Sequence, residues 1–261
     1  MSTTSKQEPK PAGKARLPVF LQRKPTAPVL SCLLLTLALA CPHQSATAGE
    51  LPVTLGSAGN YAVLSGQTVT STGQSIILGN LGVSPGSAVT GFPPGMVIGR
   101  IDRANSAAAL AQRALTTAYN DAAGRSTAPV AVAGNLGGRT LAPGLYKSTS
   151  GLEISSGNLT LDAKGNANAV FIFQMASTLT TTSGRKVILT GKAQAANVFW
   201  QVGSSATLGT TTVFKGNILA LTSISLATGA TLEGRALARN GSVTMQDNDI
   251  TIPFKLGYYG K

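Results

Sequence analysis

The sequence predicts a mainly β protein, a β-solenoid of triangular cross-section with one long α-helix packed alongside. Short runs of alternating apolar and polar residues, separated by Gly, Asn and Pro, fill most of the chain. From Asn217 onward, short strand-like units of equal length follow one another, and Leu208, Leu226 and Met245 recur at a nearly constant interval. Three short strands per turn, with about 18 residues per coil, are typical of such a solenoid. The hairpins of a β-sandwich would not preserve this register.

Residues 1–48 are expected to be an export signal. A basic leader precedes an apolar core from Val29 to Ala40, and Ala46-Thr47-Ala48 is the small-x-small pattern that a signal peptidase accepts. The apolar core is shorter than the roughly 20 residues that a transmembrane helix needs. We therefore expect no membrane insertion, a secreted product, and one domain over residues 49–261.

A second interpretation of the leader concerns Cys41, which follows a small residue and would be a lipid-anchored N-terminus in a lipoprotein. Ala38 lies three residues before it, where a bulky aliphatic residue is usual. Secretion after cleavage at Ala48 is the favoured interpretation, and surface anchoring at Cys41 is the alternative.

Cleavage after Ala48 would remove Cys32, Cys41 and His43, which are the only thiols and the only imidazole of the chain. Nucleophilic sites based on Cys or on a Ser/His pair are then excluded, as are metal sites with His or Cys ligands. We expect no catalytic residues, no metal and no cofactor.

The positive charge gives little support for nucleic-acid binding. The leader holds six Lys or Arg and one Glu, so cleavage lowers the formal charge from +12 to about +7. The remaining basic residues are dispersed, and Trp200 is the single tryptophan. Nucleic-acid binding would require clustered cations and stacking aromatics. We expect no nucleic-acid partner.

One segment, about residues 101–123, is predicted to be helical. It is rich in Ala and contains no Gly or Pro before Gly124, which is expected to end the helix. Small apolar residues recur at three- and four-residue steps: Ala104, Ala108, Ala111, Leu115, Ala118 and Ala122. The helix should therefore lie close against a flat surface.

Hydroxyl residues alternate with the apolar positions of the strands. If Ala206 and Leu208 and their equivalents point inward, their Ser and Thr neighbours point outward and form two columns across the stacked strands. The candidate binding residues are Thr178, Thr180, Ser205, Thr207, Ser223, Ser225, Ser242 and Thr244, with Thr68 and Thr70 as a further pair. Neighbouring hydroxyls would lie about 4.7–4.9 Å apart across strands and about 6.6–6.8 Å apart along a strand.

Ser and Thr are also ordinary outward residues of strands. A face that is merely solvated would carry Lys, Glu, Gln and Asp as well, and these discourage the stacking of flat sheets. The near absence of such residues favours a surface for an extended, periodic ligand. Gly209, Ala227 and Gln246 would occupy a third outward column and interrupt a pure Thr lattice.

From about Leu55 to Pro253 the chain resembles the secreted ice-binding proteins of polar and cold-adapted microbes. The resemblance is carried by the Ala-rich helix and by long segments in the expected order, among them LGSAGNYAVLSGQTVTSTG, LGNLGVSPGSAVTGFPPG and ANVFWQVGSSATLGTTTVFKGNILALTSISLATGATLEGRALARNGSVTM. It implies a right-handed, discontinuous β-solenoid with the helix along one face. It also implies adsorption to ice through one flat face, with thermal hysteresis and inhibition of ice recrystallisation, by a monomer.

Two alternatives come from other classes. An enzyme built on a β-helix would need paired carboxylates or a Ca²⁺ site, and the only acids close in sequence, Asp247 and Asp249, are expected to form a polar turn. Glu233 could lie beside Asp249 on an adjacent coil, without a basic or aromatic subsite. A secreted or surface-held adhesin that binds polysaccharide would use the same hydroxyl face.

Overall fold

The computed structural model describes residues 49–253, so the expected export signal and Cys41 lie outside the described residues. Its elements are one α-helix, α1 (Ser106–Gly124), two 3-10 turns (Gly56–Asn60 and Ala195–Asn197) and many short strands. In chain order the strands are β1 (Tyr61–Ser65), β2 (Thr68–Thr72), β3 (Ile76–Leu78), β4 (Asn80–Val83), β5 (Ala88–Thr90), β6 (Met96–Ile98), β7 (Ile101–Arg103), β8 (Val130–Ala131), β9 (Gly134–Asn135), β10 (Thr140–Leu141), β11 (Gly144–Ser148), β12 (Leu152–Ile154), β13 (Leu159–Asp162), β14 (Phe171–Met175), β15 (Leu179–Thr181), β16 (Val187–Thr190), β17 (Val198–Val202), β18 (Ala206–Leu208), β19 (Val213–Ala220), β20 (Ile224–Leu226), β21 (Thr231–Ala238), β22 (Val243–Gln246) and β23 (Asp249–Thr251).

The strands form a solenoid with three faces, as the sequence predicts. An eight-stranded sheet, β5-β2-β22-β20-β18-β15-β12-β9, makes one face, which we call the hydroxyl face. The second, called the helix-covered face, contains β7, β4, β1, β17, β14, β11 and β8 with the C-terminal halves of β21 and β19. The third face contains β6, β3 and β23, the N-terminal halves of β21 and β19, and β16, β13 and β10. Every strand pair among the described residues is parallel, because each coil returns in the same direction.

The stacking order departs from the order of the chain. β1 pairs with β21, β2 with β22 and β3 with β23, so the first coil lies directly on the last one. β4, β5 and β6 then stack on the outer side of that first coil. The solenoid is therefore discontinuous, and α1 joins β7, at one end of the helix-covered face, to β8, at the other end.

The helix begins later than the sequence predicts. The predicted start is residue 101, but Ile101–Arg103 form β7, which pairs with β4 at the end of the stack. Ala104 adopts a left-handed backbone conformation with φ of 49°, and the Oδ1 atom of Asn105 accepts a hydrogen bond of 2.9 Å from the amide of Ala108. Pairing with β4 and this N-terminal cap outweigh the helical pattern of the preceding residues. Ala104 is consequently exposed and is not part of the buried stripe.

The helix packs through its small residues, as expected. Ala111, Leu115, Ala118 and Ala122 are buried together with Tyr119. They contact a second apolar cluster on the outside of the strands, whose large members are Tyr61, Leu64, Leu145, Ile172, Phe199, Leu219 and Leu237. The helix-covered face is therefore closed to any large ligand. Residues 49–253 contain no helix with the length and hydropathy required to cross a bilayer.

The interior of the solenoid is filled by aromatic and aliphatic side chains from successive coils. Phe173 stacks on Trp200 with ring centroids 4.0 Å apart, and Tyr146 and Phe214 extend this column on either side. The rings fall in line because β11, β14 and β17 pair in register. This column packs beneath the strands that lead into the hydroxyl face.

A polar cluster ties the first coils to the helix. The Tyr61 hydroxyl donates to Asp102 Oδ2 at 2.7 Å, and the Asn105 amide donates to Asp102 Oδ1 at 2.8 Å. Burial raises the pKa of Asp102. The hydrogen bonds from Asn105 and Tyr61 and the charge of the nearby Arg100 together lower it by a larger amount, so the pKa lies below its ordinary value. Burial and the bond to Asp102 raise the pKa of Tyr61 to about 12.

Candidate functional site

The hydroxyl face carries its apolar residues inward and its Ser and Thr residues outward. In β18, Ala206 and Leu208 are buried and Thr207 is exposed. In β20 and β22 the same alternation buries the apolar residues on either side of Ser225 and Thr244. All ten residues singled out in the sequence lie on this face, in or next to β2, β15, β18, β20 and β22.

A central row of hydroxyls crosses six adjacent strands. Direct pairing joins Thr90 to Thr70, Thr70 to Thr244, Thr244 to Ser225, Ser225 to Thr207, and Thr207 to Thr180. The pairing continues to Glu153 and then to Asn135. The row is therefore uninterrupted for six positions before the first charged side chain.

An outer row runs beside it and contains Thr68, Ser242, Ser223, Ser205 and Thr178. The Thr68 hydroxyl donates to Ser242 Oγ at 2.9 Å. The Ser223 hydroxyl accepts from the backbone amide of Ser242 at 3.1 Å, and Ser205 Oγ accepts from the amide of Ser223 at 3.3 Å. These bonds hold the hydroxyls from Thr68 to Ser205 along the direction of stacking, so this part of the outer row braces the coils.

The central row is bonded more sparsely. Thr244 Oγ1 donates to Ser225 Oγ at 3.0 Å. Between residues 49 and 253, the hydroxyls of Thr70, Thr180 and Thr207 have no protein partner. They face solvent from stiff β-branched side chains, and their hydrogen-bonding capacity is available to water.

The third outward column differs from the other two. Gln246 lies beside Thr72, and its Oε1 accepts from the Thr228 hydroxyl at 2.6 Å. Gly209 and Ala227 follow the ends of β18 and β20 and contribute no hydroxyl. As the sequence predicts, the regular array is two columns wide.

Thr90, Thr72 and Glu153 also lie on this face and are not among the residues predicted from the sequence. Thr90 lies in β5, next to Val89, and β5 pairs with β2. The chain between these two strands is longer than the chain between β18 and β20, so Thr90 does not fit the spacing of the regular coils. Thr72 follows the same alternation as Thr68 and Thr70, so one further step along that strand would have found it. The coil that joins Glu153 to Thr180 is longer than either of those stretches of chain. Its extra residues hide the pairing of Glu153 with Thr180 when short repeats of the sequence are compared.

The third face and the corners contain the acidic residues considered for catalysis. Asp247 has a left-handed backbone with φ of 51°, and its Oδ1 accepts from the amide of Gln74 at 2.6 Å, which is the turn role expected for it. Glu233 forms an ion pair with Lys215 at 2.5 Å on the adjacent coil. Asp249 is in register with Thr231, not with Glu233. Within the described part of the chain, no cluster of three or more His, Cys, Asp or Glu could hold a metal.

Comparison with known proteins identifies the family to which the chain belongs. The sequence model of the family described as Ice-binding-like matches residues 63–251. The chain belongs to this family. An ice-binding protein of Nostoc sp. (strain HG1) is 52% identical over 198 residues, which cover 76% of this chain and 73% of the relative. An ice-binding protein of Flavobacterium frigoris (strain PS1) is 40% identical and the match covers 77% of this chain and 76% of the relative.

Solved structures of ice-binding proteins share the fold. One from an Antarctic biological consortium is 56% identical, with a TM-score of 0.79 over 80% of this chain and 94% of that one. Another, from the Antarctic ascomycete Antarctomyces psychrotrophicus, is 38% identical, with a TM-score of 0.74 over 78% of this chain and all of that one. The parallel solenoid of this chain is thus shared with solved ice-binding proteins.

Proposed function

We propose that this protein adsorbs to ice crystals through the hydroxyl face, without making or breaking a covalent bond. The observation that carries the proposal is the central row, in which six hydroxyl residues from Thr90 to Thr180 stand in direct register with no charged side chain among them. Membership of the Ice-binding-like family supports ice as the ligand.

The mechanism follows from spacing and stiffness. Paired strands set the hydroxyls about 4.7–4.9 Å apart, and β-branched side chains lose little conformational entropy when they are held in place. Methyl and hydroxyl groups together would order a layer of water that merges with the crystal. Growth between adsorbed molecules must then curve, which lowers the freezing point below the melting point and hinders recrystallisation.

Each contact of this kind is weak, so the number of aligned groups should decide the affinity. The other two faces are less suited to contact with ice. The helix α1 covers one of them. The third mixes charged residues such as Lys215 and Glu233 with exposed apolar ones. The outward positions of the described hydroxyl face include no aromatic ring on which a sugar could stack, so polysaccharide adhesion is not favoured.

Export is a second part of the proposal. Cleavage after Ala48 would release a secreted monomer that begins at Gly49. N-terminal sequencing of the protein from the medium tests the cleavage site, and light scattering of the purified protein tests the oligomeric state. A mature protein that retains lipid at Cys41 would contradict release into the medium.

The decisive experiment places a bulky ring in the central row. Thr207→Tyr would hold the crystal away from neighbouring hydroxyls, so most thermal hysteresis should be lost while the circular dichroism spectrum and unfolding midpoint are kept. The matched control is Thr160→Tyr, at a half-buried outward position of β13 on the third face. Equal hysteresis in Thr207→Tyr and the unmodified protein, or equal loss in the control, would contradict the assignment of the face.

A further inference from the structure

We infer that Glu153 marks the end of the ice-contacting surface, so that the hydroxyl face adsorbs to ice over less than its full length. This inference rests on the proposed ice-binding function. Glu153 occupies the seventh position of the central row, paired directly with Thr180 on one side and with Asn135 on the other. It is exposed, and its neighbours Leu152 and Ile154 are buried, so its side chain points out of the same face as the hydroxyls.

The carboxylate is held in place on that face. The Ser155 hydroxyl donates to Glu153 Oε1 at 2.9 Å. Across residues 49–253, no cation lies within ion-pair distance of it. Water must therefore satisfy the remaining carboxylate lone pairs.

A carboxylate disfavours contact with ice. It is an acceptor with two strongly hydrated oxygens, and stripping water from an ionised group without a partner is costly. The hydroxyls of Thr180 and Thr207 can both donate and accept, as each water in ice does. Ordered water that extends over Thr180 should therefore stop at Glu153.

The outer row ends at the same coil. Gly151 follows Thr178 in that row, and a Cβ atom at Gly151 would lie only 2.8 Å from the Thr178 hydroxyl oxygen. The Asn135 side chain, next after Glu153, is engaged by backbone, since its Oδ1 atom accepts from the amide of Gly137 in its own loop at 2.8 Å and from the amide of Ser155 on the adjacent coil at 2.9 Å. Both rows thus lose their regular hydroxyls between β15 and β12.

The strand spacing gives the size of the effect. Five intervals from Thr90 to Thr180 span about 24 Å, and a hydroxyl at position 153 would add a sixth interval for a total of about 29 Å. The extended row would be about 1.2 times as long. Because the affinity of an array of weak contacts depends on how many act together, the gain in adsorption should be at least that large.

The test is Glu153→Thr, with Glu153→Ser as a second variant that restores a hydroxyl without the β-branch. Thermal hysteresis at equal concentration should rise at least about 1.2-fold in both. Asp249→Thr is the control, because it removes the same charge from an exposed position on the third face and should leave hysteresis unchanged.

Unchanged or lower hysteresis in both folded Glu153 variants would overturn the inference, as would an equal rise in Asp249→Thr. These results are distinguishable from failure of the proposed function. If Thr207→Tyr has no effect, the face itself is wrongly assigned. If Thr207→Tyr abolishes hysteresis and the Glu153 variants do not raise it, only the boundary is wrong.

Discussion

Thr207 lies directly beside Ser225, and these residues stand at equivalent positions of two stacked coils. Their buried neighbours, Ala206 and Leu208 in one strand and Ile224 and Leu226 in the next, are also paired. The register that fills the core is therefore the register that aligns the surface hydroxyls. A substitution at Thr207 can alter the surface while leaving the core as it is.

Thr207→Val tests the contribution of one hydroxyl in the central row. Valine keeps the branched shape and the methyl group but cannot bond to water. A hydrogen bond contributes a net of about 0.5–1.5 kcal/mol, so the adsorption constant should fall roughly 2- to 13-fold. Partition of a fluorescently labelled protein between ice and liquid measures it. Thr160→Val on the third face should adsorb like the unmodified protein.

Ser223→Ala should affect stability more than ice adsorption. The Ser223 hydroxyl accepts from the backbone amide of Ser242, so its loss leaves that amide without this partner. We expect the free energy of unfolding to fall by about 0.5–1.5 kcal/mol, measured by urea denaturation. Thr207→Ala should show the opposite balance, with weaker adsorption and a smaller change in stability. If the two variants behave alike, the outer row has no separate bracing role.

The sequence was sufficient to predict the fold class, because equivalent apolar residues recur from coil to coil, and the outward position of the hydroxyls, because side chains alternate within strands. Leu208, Leu226 and Met245 recur at a nearly constant interval, and the strands that contain them, β18, β20 and β22, do pair with one another in that order. Alternation around these residues then places the Ser and Thr residues on the outside.

The remaining features depend on contacts between distant segments. β7 forms because β4 offers it an edge, and a local helical pattern across residues 101–105 contains no sign of that edge. Glu153 joins the central row only because an unusually long coil returns in register with Thr180. Coils of different lengths can stack in register when the extra residues lie in the corners and on the third side. The spacing of residues in the sequence therefore could not reveal the pairing of β7 or the position of Glu153.

Acid should destabilise the protein partly through Asp102. Its folded-state pKa lies below the ordinary value, so its contribution to stability is present above the unfolded-state pKa and is lost as pH falls through the folded-state pKa. We expect the free energy of unfolding to decline below about pH 4. Asp102→Asn should be less stable at pH 7 and should show a shallower acid decline.

Asp121 provides the comparison for this acid effect. The hydrogen bond from Arg125 also lowers the pKa of Asp121, but its side chain is 40% exposed. Solvent and salt screen such a pair, so Asp121→Asn should change the pH profile less than Asp102→Asn. An acid decline that is identical in the unmodified protein and Asp102→Asn would show that other groups control it.

Gly234→Ala tests the corner at which the third face meets the helix-covered face. β19 and β21 run through this corner as single strands, with Gly216 paired to Gly234. A Cβ atom at Gly234 would lie 1.8 Å from the carbonyl oxygen of Gly216, which is backbone and cannot swing aside. Overpacking against fixed atoms should lower the free energy of unfolding by about 3 kcal/mol or more. Gly124→Ala is the control, because an added Cβ there meets nothing within 4 Å and alanine favours the last turn of α1, so urea denaturation should find it at least as stable as the unmodified protein. Equal stability of the two variants would mean that the coils can separate at this corner without cost, which the continuous pairing of β19 with β21 argues against.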